Sequence, residues 1–140
     1  MMLLLSMLNT NSPVEKFLKG AVEMQTREVG GVLSLVQLCI LHECSVAAKM
    51  YRDGKTNNPE VPLQHIQEKY SLERYTVSRN AIQLGEGGVL RKDRKGNQVQ
   101  TRGRGWVKTD DVKDSPDARV KAIYLTKRGL DAVRIMFPHW

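Results

Sequence analysis

Apolar residues recur at helical spacing over much of the chain, and the interruptions between them place the elements. Ser12-Pro13-Val14-Glu15 reads as a helix start: Ser12 can cap, Pro13 suits the first helical position and Glu15 completes a capping box. Val14, Phe17, Leu18, Ala21 and Val22 follow at helical spacing, and Gly30-Gly31 ends the segment. A second helix starts near Ser34, with Gln37 three residues on. Leu35, Leu38, Cys39, His42 and Val46 share one face of it, while Ile40, Leu41, Cys44, Ala47 and Ala48 spread apolar character around the rest. Such a helix is expected to be buried on more than one side. Asp53-Gly54 through Asn57-Asn58-Pro59 has the composition of a loop.

From Val61 the pattern becomes specific. Pro62 suits a helix start, and Leu63, Ile66 and Tyr70 at i, i+3 and i+7 make a short amphipathic helix. Ser71-Leu72-Glu73 makes a tight turn with Leu72 inward. In Arg74 to Leu84, Val77, Ala81 and Leu84 face inward with Ile82 beside them, which leaves Thr76, Ser78, Arg79 and Gln83 pointing outward. Gly87-Gly88 is expected to end this helix with a left-handed residue. Two short helices joined by a tight turn, the second polar on one side, form a helix-turn-helix arrangement. Val89 to Lys92 reads as a strand, and Arg119 to Thr126 alternates at period 2 as a returning strand, with residues 93–118 between them as the wing. Lys127 to Phe137 is a closing helix, with Leu130, Val133 and Phe137 at helical spacing.

The expected fold class is therefore α+β and mainly helical: a winged helix-turn-helix, helices with a small antiparallel β wing. Residues 1–32 are expected to form an N-terminal helical segment used for dimerisation. Residues 33–140 are expected to form the DNA-binding domain, with a long basic wing at about 91–118.

Composition narrows the class. The 140 residues suit one domain, or one domain with a helical appendage, and 41% hydrophobic against 26% charged residues exclude wholesale disorder. Two cysteines make no disulfide framework. Met1 to Leu8 is apolar but too short for a membrane helix and lacks the basic start of a secretory signal. Two accounts fit it: a segment packed by a partner chain, or a leader lying on its own domain. No membrane partner is expected.

The net charge is +7, and its position matters more than its size. Residues 1–90 hold nine Lys/Arg and nine Asp/Glu, residues 129–140 hold one of each, and residues 91–128 hold twelve against five. The whole excess, 12 − 5 = 7, lies in that one stretch. A segregated positive field steers a polyanion to one face.

Thr76-Val77-Ser78-Arg79, followed by Leu84 and Gly88-Val89-Leu90, is similar to the recognition helix and its exit in the MarR-type winged-helix transcriptional regulators. Asp117-Ala118-Arg119, with Ile123-Tyr124-Leu125-Thr126 and Gly129 after it, resembles that family's Asp-x-Arg wing motif and Leu-Thr-x-x-Gly junction. The resemblance covers roughly residues 33–130. It implies that Arg79 and its neighbours read the major groove and that Arg119, held by Asp117, enters the minor groove. The chain departs from the family in its long segment Asp93 to Val112, in Glu73 at the capping position, and in having one helix after the wing.

The long segment carries much of the candidate chemistry. Arg91, Lys92, Arg94, Lys95, Arg102, Arg104 and Lys108 face Asp93 alone among residues 91–108. Lys95-Gly96-Asn97 is a turn signal for an extra hairpin. Arg102-Gly103-Arg104-Gly105-Trp106 joins forked donors to an aromatic surface: Trp106 either stacks on a base or packs the wing against the body. Cys39-x-x-His42-x-Cys44 has ligand types, but Cys44 leaves the helix face that Cys39 and His42 share, so a buried thiol and a satisfied histidine are expected. No nucleophile–base pair suggests catalysis, so neither enzyme activity nor a cofactor or metal is expected.

The expected function is sequence-specific binding of double-stranded DNA by a homodimeric regulator, cytoplasmic and nucleoid-associated, bacterial or phage-encoded. Tyr75, Thr76, Ser78, Arg79, Asn80 and Gln83 would enter the major groove. Arg91, Arg94, Lys95, Arg102, Arg104, Trp106, Lys108 and Arg119 would take phosphates and the minor groove. The alternative is a phage- or plasmid-type replication, partition or single-stranded DNA- or RNA-binding protein, with Arg-Gly-Arg-Gly-Trp as its working part. A third reading is an adaptor whose winged helix binds protein.

Overall fold

The computed structural model describes residues 12–27, 32–85, 87–111 and 121–137, with the backbone alone at 26–27, 87–92, 98–102 and 111. These residues form five helices and two small antiparallel sheets. In chain order they are α1 (Pro13–Arg27), α2 (Leu35–Arg52), β1 (Val61–Pro62), α3 (Leu63–Tyr70), α4 (Arg74–Leu84), β2 (Gly87–Lys92), β3 (Gln98–Arg102), β4 (Val107–Asp111), β5 (Lys121–Leu125) and α5 (Lys127–Met136). No helix among the described residues is long and apolar enough to cross a membrane.

Helix α2 is the scaffold. The Ser34 hydroxyl accepts from the Gln37 N–H at 3.1 Å, and the Gln37 side chain accepts from the Ser34 N–H at 3.3 Å, closing the capping box. Its buried face is Gln37, Ile40, Leu41, Cys44, Ser45 and Ala48, packed against α3, α4, α5, β1 and β5. Burial on several sides agrees with the sequence expectation, but the Leu35–Val46 face is not the core. Leu35 and Val46 are exposed, and Leu38, Cys39 and His42 are half-buried.

Helix α1 begins where expected: the Ser12 hydroxyl accepts from the Glu15 N–H at 3.2 Å. Phe17, Gly20, Ala21 and Met24 turn toward α5, and the Phe17 and Phe137 rings stack at 5.2 Å. Gly20 is a packing requirement, since a Cβ there would overlap the Ile135 carbonyl oxygen. Val14, Leu18 and Val22, at i, i+4 and i+8, face outward.

The strand pairing corrects the sequence reading. Val89 to Lys92 does not pair with the returning strand. It belongs to β2, which folds back on β3, with Arg91 opposite Val99 and Lys92 opposite Gln98. The strand beside β5 is β4, with Val107 opposite Leu125 and Thr109 opposite Ile123. The other edge of β5 is taken by β1, Val61 opposite Ile123, giving the order β1-β5-β4. The tight turn after Lys92 reverses the chain before it can reach β5. Strand β1, two residues including a proline, has no periodicity by which a sequence could announce it.

The core collects Ile40, Leu41 and Cys44 of α2, Ile66 of α3, Val77 and Leu84 of α4, Trp106, Val107 and Ile123 of the sheet region, and Val133 and Met136 of α5.

Candidate nucleic-acid interface

Helices α3 and α4 are joined by Ser71-Leu72-Glu73. Ser71 adopts a left-handed backbone at φ 53°, and the Leu72 N–H donates to the Gln67 carbonyl at 2.9 Å. The Glu73 side chain makes no capping bond to α4, as its length leads one to expect. Val77, Ala81 and Leu84 are buried, so the predicted inner face of α4 is correct.

The outer face differs from the prediction. Arg74, Tyr75 and Arg79 are exposed, and Ser78 is half-buried. Ile82, expected beside the core, is instead 43% exposed, one helical face with Tyr75 at i, i+7. Its spacing from Tyr75 was the available signal.

Asn80 and Gln83, both expected in the groove, turn toward α2. The Ser34 hydroxyl donates to the Asn80 carbonyl at 3.1 Å, while the Asn80 amide donates to the Thr76 backbone carbonyl at 2.8 Å. The amide of Gln37 donates to the Gln83 side-chain carbonyl at 2.9 Å. These bonds fix the rotation of α4 about its own axis. They engage the polar ends of Asn80 and Gln83 behind the exposed face of α4. Thr76 is half-buried.

Residues 104–106 of the Arg-Gly-Arg-Gly-Trp segment are bonded into the fold. The N–H groups of Arg104, Gly105 and Trp106 donate to the carbonyls of Gln83, Gly85 and Leu84 at 3.2, 2.7 and 2.9 Å. They thereby satisfy carbonyls that the end of α4 would otherwise leave open. This is why α4 stops at Leu84 rather than at Gly87-Gly88, with Gly85 at φ −85° and not left-handed. On the other side, the Thr126 N–H donates to the Trp106 carbonyl at 2.9 Å, and the Thr126 hydroxyl donates to the Gly105 carbonyl at 2.7 Å. The same hydroxyl caps α5 by accepting from the Gly129 N–H at 3.1 Å. Gly105 turns the segment at φ 70°.

Two expected contacts are therefore corrected. Trp106 is fully buried, and Arg104 is 4% exposed with its guanidinium 5.0 Å from the Trp106 ring centroid. A Trp side chain is worth more as core than as an open platform here, and neither residue can meet a base or phosphate without leaving that core.

Between β2 and β3 the turn at 93–97 is tightly drawn. The Asp93 carboxylate accepts from the N–H groups of Lys95 and Asn97 at 2.9 and 2.8 Å, and Gly96 supplies φ 79°. Arg94 and Lys95 are exposed on it, as is Lys108 on β4. Arg91 and Arg102 lie on β2 and β3, but their side chains are outside the described residues, and Arg119, with Asp117, lies outside them entirely.

Sequence reasoning missed an ion cluster between α2 and α3. Glu43 on α2 is 4% exposed, with Lys69 at 2.6 Å, His65 at 3.3 Å and His42 at 3.4 Å. Burial pushes its carboxyl pKa up, but the hydrogen bond and charge of Lys69, the charge of His42 and the bond from His65 outweigh that. The carboxyl sits below its ordinary value, and the bond to Glu43 raises Lys69 in turn. A cleft of about 590 Å³ opens beside the cluster, with Met50, Asn57 and Glu60 also on its walls. Burial raises the Cys44 thiol, and raises Cys39 with help from Glu43. His42 meets the Phe137 ring edge-on at 5.6 Å. Among the described residues no group of three or more His, Cys, Asp or Glu could hold a metal ion.

No family model, no curated protein and no solved structure matches this chain.

Proposed function

We propose that this protein is a winged helix-turn-helix regulator that binds double-stranded DNA by sequence. Helix α4 enters the major groove, presenting Tyr75, Ser78, Arg79 and Ile82. The β4–β5 hairpin is the wing, carrying Lys108 and, in its connection, Arg119. The β2–β3 hairpin is a second basic arm with Arg94 and Lys95 on its turn.

One observation carries the reading: α4 is sealed on its Val77–Ala81–Leu84 side and open along Arg74, Tyr75 and Arg79. The segment that follows this helix holds the whole net charge of the chain. The outward stripe Val14–Leu18–Val22 supports homodimerisation through α1. The single-strand alternative is weakened, because the aromatic surface it needed, Trp106, is buried.

The test is selection of bound duplexes from a random pool, followed by a salt series on the enriched sequence. Enriched pseudo-palindromes, with half-sites about 10 bp apart, support the reading. About six phosphate contacts give a log–log salt slope of roughly −5. Replacing Arg79 by alanine should relax the preference at one base step by about 1–3 kcal/mol. A chain that enriches no sequence, or an Arg79→Ala variant with unchanged preference, overturns it.

A further inference from the structure

The solvent-facing side of α4 is not uniformly polar. Ile82 is 43% exposed although its neighbour Ala81 and the nearby Leu84 are sealed in the core. It lies one turn beyond Arg79 and on the same side as Tyr75, which is 71% exposed. A lone exposed isoleucine on an arbitrary surface needs no account. This one sits at the end of the row of residues that faces the groove, next to a cleft of about 360 Å³. Ala81, Ile82 and Gly85 line one wall of that cleft, and Val107, Lys108, Thr109 and Asp110 line the other, where the Asp110 carboxylate accepts from the Tyr124 hydroxyl at 3.0 Å.

We infer that Ile82 is a specificity residue that packs on the C5-methyl group of a thymine. This rests on the reading of α4 as the major-groove helix and names what one position of that helix recognises. The major groove offers one apolar feature, the methyl of the A·T pair, and an aliphatic side chain without donors or acceptors discriminates there by that contact alone. Arg79 offers the complementary chemistry, a forked donor suited to the O6 and N7 acceptors of guanine. Three residues of helix rise about 4.5 Å and one base step about 3.4 Å. The thymine read by Ile82 therefore lies one or two steps from the guanine read by Arg79, once in each half-site.

The test uses the full chain and the duplex recovered by selection. Each thymine is replaced in turn by deoxyuridine, which deletes only the methyl group, and competition binding is measured for the wild-type chain and for Ile82→Ala. One thymine per half-site, within two steps of a guanine, should show about a fourfold loss with the wild-type chain, the value of one buried methyl group. Ile82→Ala should bind the thymine and deoxyuridine duplexes alike, and Ile82→Val should keep most of the discrimination. Placing 5-methylcytosine opposite guanine at that position should bind better than unmethylated cytosine, because the methyl returns without the A·T edge. If wild type and Ile82→Ala lose affinity equally at every deoxyuridine, the inference is wrong while the reading of α4 stands. If no duplex is selected at all, both fall.

Discussion

The side-chain amide of Gln37, near the start of α2, donates to the side-chain carbonyl of Gln83 on α4 at 2.9 Å. Gln37 is buried and also accepts from the Ser34 N–H, so one residue caps the scaffold helix and locks the rotation of its neighbour. Replacing Gln83 by leucine strands the Gln37 amide, and a buried unpaired donor costs about 1–3 kcal/mol. The expected result is that loss in urea unfolding, only partly recovered when Gln37 is also made leucine, because the Ser34 N–H then loses its capping acceptor. Base preference in the Gln83→Leu variant should shift less than in Arg79→Ala. A stability-neutral Gln83→Leu that changes one base position would make Gln83 a direct reader.

The Glu43 cluster gives a pH signature. Because the folded carboxyl sits below its ordinary value of 4.5, the folded state favours the ionised form. The stabilisation is present above pH 4.5 and is lost as pH falls through the folded value. Glu43→Gln should be less stable than wild type at neutral pH, and the two denaturation midpoints should converge in acid. Midpoints that stay equally far apart over the whole range would show that ionisation of Glu43 contributes no stability.

Gly20 tests the docking of α1. In an isolated helix alanine is favoured over glycine by about 1 kcal/mol. Here the added Cβ meets the Ile135 carbonyl and lies 2.8 Å from the Met136 Cα, backbone atoms that cannot swing aside. Gly20→Ala should therefore destabilise the chain by about 1–3 kcal/mol, an overpacking cost of opposite sign to propensity. Thermal unfolding reads that sign directly.

Trp106 separates a core role from a nucleic-acid role. Its indole N–H is buried with no acceptor among the described residues. Trp106→Phe, which removes that N–H and keeps most of the volume, should cost far less than Trp106→Ala, expected at about 3–5 kcal/mol. DNA affinity of the folded Phe variant should match wild type. A tenfold affinity loss with unchanged stability would return Trp106 to the surface.

The β2–β3 turn tests the second basic arm. Arg94→Ala together with Lys95→Ala leaves the Asp93 and Gly96 bonds of the turn in place. Affinity should fall alike for enriched and scrambled duplexes, and the salt slope should become shallower by about 2. An unchanged slope would mean that the arm does not touch the backbone.

What was legible in the residues was local. Ser12 and Ser34 announced their helices because capping is decided within four residues. Val77, Ala81 and Leu84 announced the inner face of α4 because helical period alone sets it. The Lys95-Gly96-Asn97 turn and the segregation of charge were equally plain. Two departures are local: Ile82 shares the exposed face of Tyr75, and Val89 to Lys92 folds back on the strand that follows its own turn. The others involve partners distant in sequence. Asn80 and Gln83 are ordinary outward polar residues until α2 brings Ser34 and Gln37 against them. The Arg-Gly-Arg-Gly-Trp segment has the composition of a nucleic-acid loop until its N–H groups meet the open carbonyls at the end of α4. The partner of β5 is decided by which chain reaches its edges. Periodicity and capping are properties of a few neighbouring residues, whereas hydrogen-bond satisfaction and burial are settled between elements, and only the tertiary structure brings those elements together.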